Sequence, residues 1–199
     1  MKTTILSFFA VVMMVIGLTK TTSASTFKDD NATVLNDISA INKVEVYGNV
    51  ELYVSDATTD RVKVYNRYYS ESALVQSKNG VLRISNYKAE KLVVWVSAND
   101  LRSISVFDNS SVSSFGKLSK ITLNVDLHDQ AAANLDLDTY AINLSVKDHA
   151  KVEVKGIAEE LNLNRDIQSN VKNDQFAVAH LNENKAVMSA AINDELIGM

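Results

Sequence analysis

Apolar and polar residues alternate along the C-terminal half of the chain, and between about residues 101 and 192 the pattern recurs with a period close to twenty residues. Alternation within a copy predicts strands with one buried face. A hairpin of this length cannot bury its own apolar face, so recurrence of the columns predicts that successive copies stack. We therefore predict an all-β, single-domain β-solenoid, similar to a parallel β-helix, of about five to six rungs. Its turns are anchored at Asp108, Asp129, Asp148, Ile167 and Asn184.

Aligning the copies on these anchors produces columns of matching residues. One apolar column precedes each turn: Ile104, Val125, Leu144, Leu163 and, in the last copy, His180. A column of small residues follows each turn: Ser110, Ala131, Ala150, Ser169 and Ala186. A polar column contains Asn124, Asn143 and Asn162, with Ala179 in the last copy. Stacked amides bond to one another in repetitive β structures, so we expect these three asparagines to form a structural ladder.

The N-terminal half is also rich in strand patterns. Alternation around Gly48-Asn49 resembles an isolated further copy, and Asn79-Gly80 is a strong hairpin signal. The apolar run Val93–Val96 places Trp95 in the predicted core. We expect these N-terminal strands to cover one end of the solenoid, because an open terminal edge invites unwanted pairing. The sequence predicts no substantial helix.

The first 24 residues have the pattern of a secretory signal peptide. Lys2 precedes a short apolar stretch, and small residues lead to a predicted cleavage between Ala24 and Ser25. An uncleaved anchor is the alternative, but the apolar stretch is short for a bilayer of about 30 Å. The prediction is therefore an exported protein with a flexible polar leader over residues 25–37 and one domain over residues 38–199.

Charge and composition narrow the classes of partner. The formal net charge is −4, and loss of Lys2 and Lys20 with the signal peptide changes it to −6. An acidic chain without basic runs disfavours nucleic acid and anionic membrane surfaces. The chain has no cysteine, which excludes thiolate metal sites and cysteine nucleophiles. We expect no cofactor.

The order of these segments resembles one known family. Val44–Leu52 with Gly48-Asn49, then Asn79–Ile84, then Leu101–Val106 followed by the repeated turns, is similar to the head GIN domain family of putative auto-transporter adhesins. The resemblance implies an exported, all-β, β-helix-like domain of Gram-negative bacteria, mainly of the Bacteroidetes type, located in the periplasm or at the cell surface. The family's repeats usually place Ser-Gly at the turn, whereas Asp108-Asn109, Asp129-Gln130 and Asp148-His149 stand there in this chain. The family offers no catalytic motif.

Two polar groups have alternative interpretations. If Asp108, Asp129 and Asp148 stack about 4.8 Å apart, calcium could bridge them, but aspartate at a tight turn also bonds local amides. His128 and His149 lie beside these turns on differently directed positions, which does not favour a zinc site. We therefore predict no metal and no catalytic residue.

The best candidate interaction surface is the segment with Tyr65, Arg67, Tyr68 and Tyr69. Tyrosine with arginine is typical of interaction hot spots, although half-buried tyrosine is also common in strands. We predict a non-enzymatic, adhesin-like domain that binds a protein or glycan of the cell envelope or surface. One alternative is a small carbohydrate-binding or carbohydrate-active protein. The other is an envelope protein that self-associates through its C-terminal edge near Ala190.

Overall fold

The protein is represented by a computed structural model that describes residues 32–35, 38, 40–65 and 74–186. These residues form strands and turns without a helix, which confirms the all-β prediction. Nowhere in these ranges is there a helix of the length and apolarity needed to cross a membrane. The predicted signal peptide and its cleavage position lie outside the described residues. The strands are β1 (Ala32–Leu35), β2 (Lys43–Gly48), β3 (Val50–Asp56), β4 (Arg61–Tyr65), β5 (Leu74–Lys78), β6 (Val81–Asn86), β7 (Leu92–Ala98), β8 (Ser103–Val106), β9 (Ser111–Ser114), β10 (Leu118–Leu127), β11 (Ala132–Val146), β12 (Lys151–Arg165) and β13 (Asn170–Lys185).

The thirteen strands of the described residues all belong to one mixed sheet with two arms. The first arm contains β1, β4, β7, β3 and β9, in that order, and the second contains β5, β6, β2, β8 and β10. The long strands β11, β12 and β13 take part in both arms, because their first halves continue from β9 and their second halves continue from β10. Buried residues of both arms form one hydrophobic core. The core therefore lies between the arms.

Successive repeat segments pair in parallel, residue on equivalent residue. Val125 is opposite Leu144, and Leu144 is opposite Leu163 in the next strand. These three side chains are at most 4% exposed. Full burial of such a side chain contributes roughly 1.5–3 kcal/mol, so the repeated apolar columns stabilise the stack. The small residues Ala131 and Ala150 are fully buried beside the turns, where the amide of Lys151 donates to the carbonyl oxygen of Ala131.

The N-terminal strands extend both arms on the side of β8 and β9 that faces away from the repeats. β2 pairs in parallel with β8 and β6, while β3 pairs in parallel with β9 and β7. The β6–β7 segment therefore lies outside β2–β3 although it follows it in the sequence. At the outer edges β4, β5 and β1 pair antiparallel, and the hairpin at Asn79-Gly80 joins β5 to β6.

Two sequence predictions about the chain's outer segments are wrong. Ala32–Leu35, predicted as part of a flexible leader, forms β1, because the free edge of β4 offers it backbone partners. Asn184, predicted as the fifth turn, lies in β13 opposite Asn164. The prediction placed this turn 17 residues after Ile167, whereas equivalent residues of β12 and β13 are 19 apart at Val152 and Val171 and 20 apart at Asn164 and Asn184. A bulge of one extra residue between Lys172 and Gln175, which face Glu153 and Lys155 of β12, accounts for the change from 19 to 20.

Candidate functional site

Tyr65 is the one residue of the predicted interaction segment that the structure describes; Arg67, Tyr68 and Tyr69 lie outside the described residues. Tyr65 ends β4 and is half-buried. Its ring meets Trp95 edge to face, with 6.4 Å between the ring centroids. The tyrosine therefore belongs to a larger aromatic group that the sequence did not reveal.

This group, which we call the aromatic patch, lies on the outer face of the first arm and consists of Tyr53, Tyr65, Trp95 and Phe115. Trp95 is at its centre: the ring of Tyr53 stacks on it at 4.9 Å, and Phe115 contacts it at 4.9 Å with the ring planes tilted by 57°. Phe115 is 62% exposed. Aromatic pairs at these separations contribute about 0.5–1.5 kcal/mol each beyond area burial, so the patch is held in a defined arrangement.

The position of Trp95 corrects the sequence prediction, which placed it in the core. In β7 the buried residues alternate as Leu92, Val94 and Val96, so Trp95 points away from them. The apolar run hid this alternation, because Val93 and Trp95 are apolar on the outer face as well. Alternation in β3 could have identified Tyr53, since Val50, Leu52 and Val54 are buried on either side of it.

Polar groups fix one side of the aromatic patch. The hydroxyl of Tyr53 donates a hydrogen bond of 2.6 Å to Oε1 of Glu51. This bond, together with burial and the charge of Glu51, raises the pKa of Tyr53 above its ordinary value. Lys91 Nζ lies 3.6 Å from Glu51 Oε2. Tyr53 therefore remains a neutral donor at physiological pH, and its ring orientation is set.

The turn aspartates form a row of hydrogen bonds between copies. Oδ2 of Asp108 accepts from the amide of Gly48 at 2.8 Å, and Oδ2 of Asp129 accepts from the amide of Asp108 at 3.0 Å. Asp148 and Asp166 continue the row with bonds of 3.0 and 2.9 Å to the preceding turn. The carboxylates therefore bond amides of the neighbouring copy rather than those of their own turn.

The turn aspartates that form this row have positive φ angles, and their inter-copy hydrogen bonds offset the cost of that conformation. Asp108, Asp129 and Asp148 have φ between 53° and 58°, a conformation that costs energy in residues other than glycine. Gly48 holds the equivalent position in β2–β3 with φ of 84°. The inter-copy bonds compensate for the missing glycine. Within the described ranges, no group of three or more His, Cys, Asp or Glu is arranged to hold a metal ion.

The histidines do not converge. His128 stacks on Phe107 with 4.7 Å between ring centroids, and Phe107 stacks on Tyr47 at the same separation. His149 is exposed at the next turn. His180, predicted on the inward column, is 71% exposed and lies 3.7 Å from Glu159. It is opposite Glu160 rather than Leu163, because the prediction set the last copy three residues out of register.

Asparagine side chains form a second row, on the outer face of the second arm. Nδ2 of Asn143 donates to Oδ1 of Asn124 at 2.8 Å, and Nδ2 of Asn162 donates to Oδ1 of Asn143 at 2.9 Å. Asn182 continues the row with a 3.0 Å bond to Asn162, and Asn124 donates to the carbonyl oxygen of Arg102. The sequence missed Asn182, because the predicted alignment set the last copy three residues out of register and had Ala179 opposite Asn162.

A charged group lies at the far end of the same face. Glu45 of β2 accepts bonds of 2.6 and 2.9 Å from Arg83 and lies 2.9 Å from Lys43. Burial, the largest single effect, opposes ionisation of Glu45, but the combined hydrogen bonds and charges of Lys43 and Arg83 outweigh it. The pKa of Glu45 is therefore lowered.

The last described strand presents charges along its edge. In β13, Glu183 is opposite the buried Leu163 and Lys185 is opposite Arg165. Arg165 Nε donates to Glu183 Oε1 at 2.6 Å. Charged residues at core-facing positions of a terminal strand discourage pairing with another chain.

The model of one protein family, described as "Putative auto-transporter adhesin, head GIN domain", matches residues 40–191. The chain belongs to this family. The resemblance read from the sequence is thereby confirmed. No curated protein matches the chain.

Solved structures share the fold of this head GIN domain. A putative adhesin from Bacteroides fragilis is 15% identical with a TM-score of 0.67, and the match covers 77% of this chain and 75% of that one. A putative adhesin from Parabacteroides merdae is 14% identical with a TM-score of 0.58, covering 77% and 76%. A putative lipid binding protein from Parabacteroides distasonis is 10% identical with a TM-score of 0.59, covering 78% of each chain. At these identities the likeness concerns the fold.

Proposed function

We propose that this head GIN domain is an exported, non-enzymatic, adhesin-like domain that contacts a protein or glycan of the cell envelope or surface through the aromatic patch. The observation that carries the proposal is the outward-facing group of Trp95, Tyr53 and Phe115, with Tyr65 at its edge. Rigid aromatic rings supply contact area at low entropic cost, and they are enriched in hot spots. The adhesin-like role is supported by the family to which the chain belongs.

Export is proposed from the N-terminal sequence. Lys2, the apolar stretch after it and the small residues before Ser25 have the order of a signal peptide. A chain exported from a Gram-negative cell should have the intact mass of residues 25–199. An intact mass that includes residues 1–24 would contradict the export proposal without bearing on the aromatic patch.

We also propose that the repeated segments form a β-solenoid of about five to six rungs. The proposal is supported by the parallel pairing of β10 with β11, β11 with β12 and β12 with β13, each between equivalent residues. Further support comes from β2–β3 and β6–β7, which pair in parallel beside β8–β9. The turns Gly48-Asn49 and Asp108-Asn109 bond to each other in the same way as the later turns do.

Self-association through the C-terminal edge is the less supported alternative; Ala190 lies outside the described residues, of which β13 is the last strand. Glu183 and Lys185 place charges where a second copy would have to pack, and the bulge between Lys172 and Gln175 distorts the edge. Bulges and inward charges are common protections of edge strands. A carbohydrate-binding activity remains compatible with the aromatic patch, since sugar rings stack on exposed aromatic faces.

The proposal is tested by glycan-array and whole-cell binding of the exported chain. We expect Trp95→Ala to lower binding at least tenfold, because it removes the ring that Tyr53, Tyr65 and Phe115 all contact. The matched control is Tyr140→Ala, which removes another exposed aromatic side chain, 57% exposed, outside the patch. Equal binding of wild type and Trp95→Ala, with the variant folded by circular dichroism, would show that the patch is not the contact surface.

A further inference from the structure

A polar groove lies over the second arm, away from the aromatic patch. It has a volume of about 880 Å³, which is within the usual range of ligand sites. Two parallel rows of side chains line it, spaced by the pairing of β10 to β13. One is the hydrogen-bonded row of Asn124, Asn143, Asn162 and Asn182. The other, two residues further along each strand, consists of Asp126, Ser145, Asn164 and Asn184.

The first row leaves half of its hydrogen-bonding capacity unused. An asparagine amide has two N–H donors and an oxygen with two lone pairs. Asn143 donates one N–H to Asn124 and accepts one bond from Asn162, so one donor and one lone pair remain. The same holds for Asn162, which accepts from Asn182. Each rung therefore offers a donor beside an acceptor, about 4.8 Å from the next such pair.

These amides are also held in position before any ligand binds. Each is fixed by its neighbours in the row, so ordering them costs little on binding. A hydroxyl group both donates and accepts, and it therefore matches a donor and an acceptor placed side by side. A ligand with many hydroxyl groups along an extended chain can repeat that match from rung to rung.

The acidic lining of the groove favours neutral over anionic ligands of this kind. Asp126 places a carboxylate in the groove, whereas Glu183, at a core-facing position of β13, is paired with Arg165; no Lys, Arg or His of the described residues lines the groove. An anionic polymer would be repelled and would find no cation to pair with. Between the two rows the backbone of Leu144 and Leu163 forms the floor, because their side chains are buried in the core on the other face of the sheet.

We propose that this groove binds a short stretch of a neutral polysaccharide, laid across β10 to β13 along the two rows. The four rungs span about 14 Å at the usual strand spacing, enough for a few sugar units. The site is separate from the aromatic patch, because the patch is on the outer face of the other arm. Binding in the groove goes beyond the proposed contact through Trp95 and does not depend on it.

Affinity gel electrophoresis of the exported chain with dextran, mannan or laminarin tests the proposal. We expect at least one of these neutral polymers to retard the protein, while anionic polygalacturonate does not. Asn164→Leu fills the groove from the second row without touching the hydrogen-bonded row, and should raise the apparent Kd at least tenfold. The matched control is Asn134→Leu, which makes the same change on the outer face of the first arm, where Asn134 faces Ser113 and Glu153.

The outcomes separate this site from the aromatic patch. Trp95→Ala should be retarded like wild type, so failure of either proposal leaves the other standing. If Asn164→Leu lowers thermal stability, Asn184→Leu at the end of the same row should give the same loss of retardation. Retardation by none of the neutral polymers, retardation by polygalacturonate alone, or equal retardation of wild type and both groove variants would overturn the proposal.

Discussion

The two outer faces of this molecule differ in how the sequence builds them. The aromatic patch draws Tyr53 and Trp95 from the paired strands β3 and β7, but Tyr65 from the antiparallel strand β4 and Phe115 from the bend after β9. The amide row takes one residue from each of four consecutive repeat strands. Repetition therefore produces a periodic surface with one chemistry, and the irregular strands produce a compact mixed cluster. A partner with a repeating structure suits the first surface, and a partner with one anchor point suits the second.

Both faces depend on the bends that join the two arms. Gly156 in β12 has φ of 108°, and a Cβ at this position would collide with the backbone of Leu137. We expect Gly156→Ala to lower the free energy of unfolding by about 3–5 kcal/mol, because backbone strain adds to the collision. Urea unfolding followed by circular dichroism measures it.

Gly116→Ala is the matched control for Gly156→Ala. Gly116 also has a positive φ, of 80°, but a Cβ there meets nothing within 4 Å. Its replacement should cost about 1 kcal/mol, from conformation alone. Equal costs for the two variants would mean that β11 and β12 do not approach each other as closely as described.

Substitutions in the turns should have the next largest effect on stability. They test the difference between the aspartate turns of the repeats and the glycine turn at Gly48. Asp129→Ala keeps the unfavourable φ of 58° and loses the bond to the amide of Asp108, so we expect a loss of about 2 kcal/mol. Asp129→Gly loses the same bond but relieves the φ strain, and should stay within about 0.5 kcal/mol of wild type. Thermal unfolding of both variants measures the difference. A glycine variant as unstable as the alanine variant would contradict the compensation argued for these turns.

The sequence predicts the regular repeats of this fold better than its irregular parts. Equivalent residues recur every 19 to 21 positions in the first copies, so the columns of Val125, Leu144 and the asparagines could be aligned without coordinates. The residues of the last copy could not be aligned in this way. One extra residue in β13 places Asn182 in the asparagine row and places His180 at a position that does not face the core. An insertion of one residue leaves no signal in a pattern with variable spacing.

The aromatic patch could not be predicted from the sequence, because it depends on strand pairing between distant segments. Tyr53 and Trp95 lie 42 residues apart and meet because β7 pairs with β3, an order that no local pattern predicts. The segment containing β6 and β7 lies outside β2 and β3, contrary to its place in the chain. Tyr65 was identified as a candidate from composition, but its partners come from pairing across the sheet.

The amide row should contribute less stability than the turns. Asn143→Ala removes two exposed side-chain hydrogen bonds, and we expect it to cost about 1 kcal/mol more than Asn134→Ala. Asn134 is the matched control because it is an exposed asparagine of the same strand on the other arm. Chemical denaturation of the two variants in parallel measures the difference. Equal stability of the two would show that the row orders side chains without stabilising the fold.

The smallest effect concerns the charged end of the second arm. The pKa of Glu45 is lowered from 4.5 in the folded protein, so its contribution to stability is present above pH 4.5 and is lost as the pH falls through the folded value. Glu45→Gln should flatten the stability profile below about pH 4.5 and cost less than about 1 kcal/mol at pH 7, because Arg83 is half-exposed. Unfolding measured across this range checks it, with the exposed Glu90→Gln as control. An unchanged profile would mean that the carboxylate gains nothing from its partners.

In-register stacking of the repeats is the claim on which both faces depend, and the absence of cysteine from the chain makes it directly testable. Adjacent parallel strands lie about 4.8 Å apart, which a disulfide can bridge. Strands separated by one intervening strand are about twice as far apart, which is too far for a disulfide. Mild oxidation should therefore close an intramolecular disulfide in the Asn143→Cys, Asn162→Cys double variant and leave both thiols free in the Asn143→Cys, Asn182→Cys variant. Equal closure of the two pairs, or closure of the second alone, would contradict the stacking.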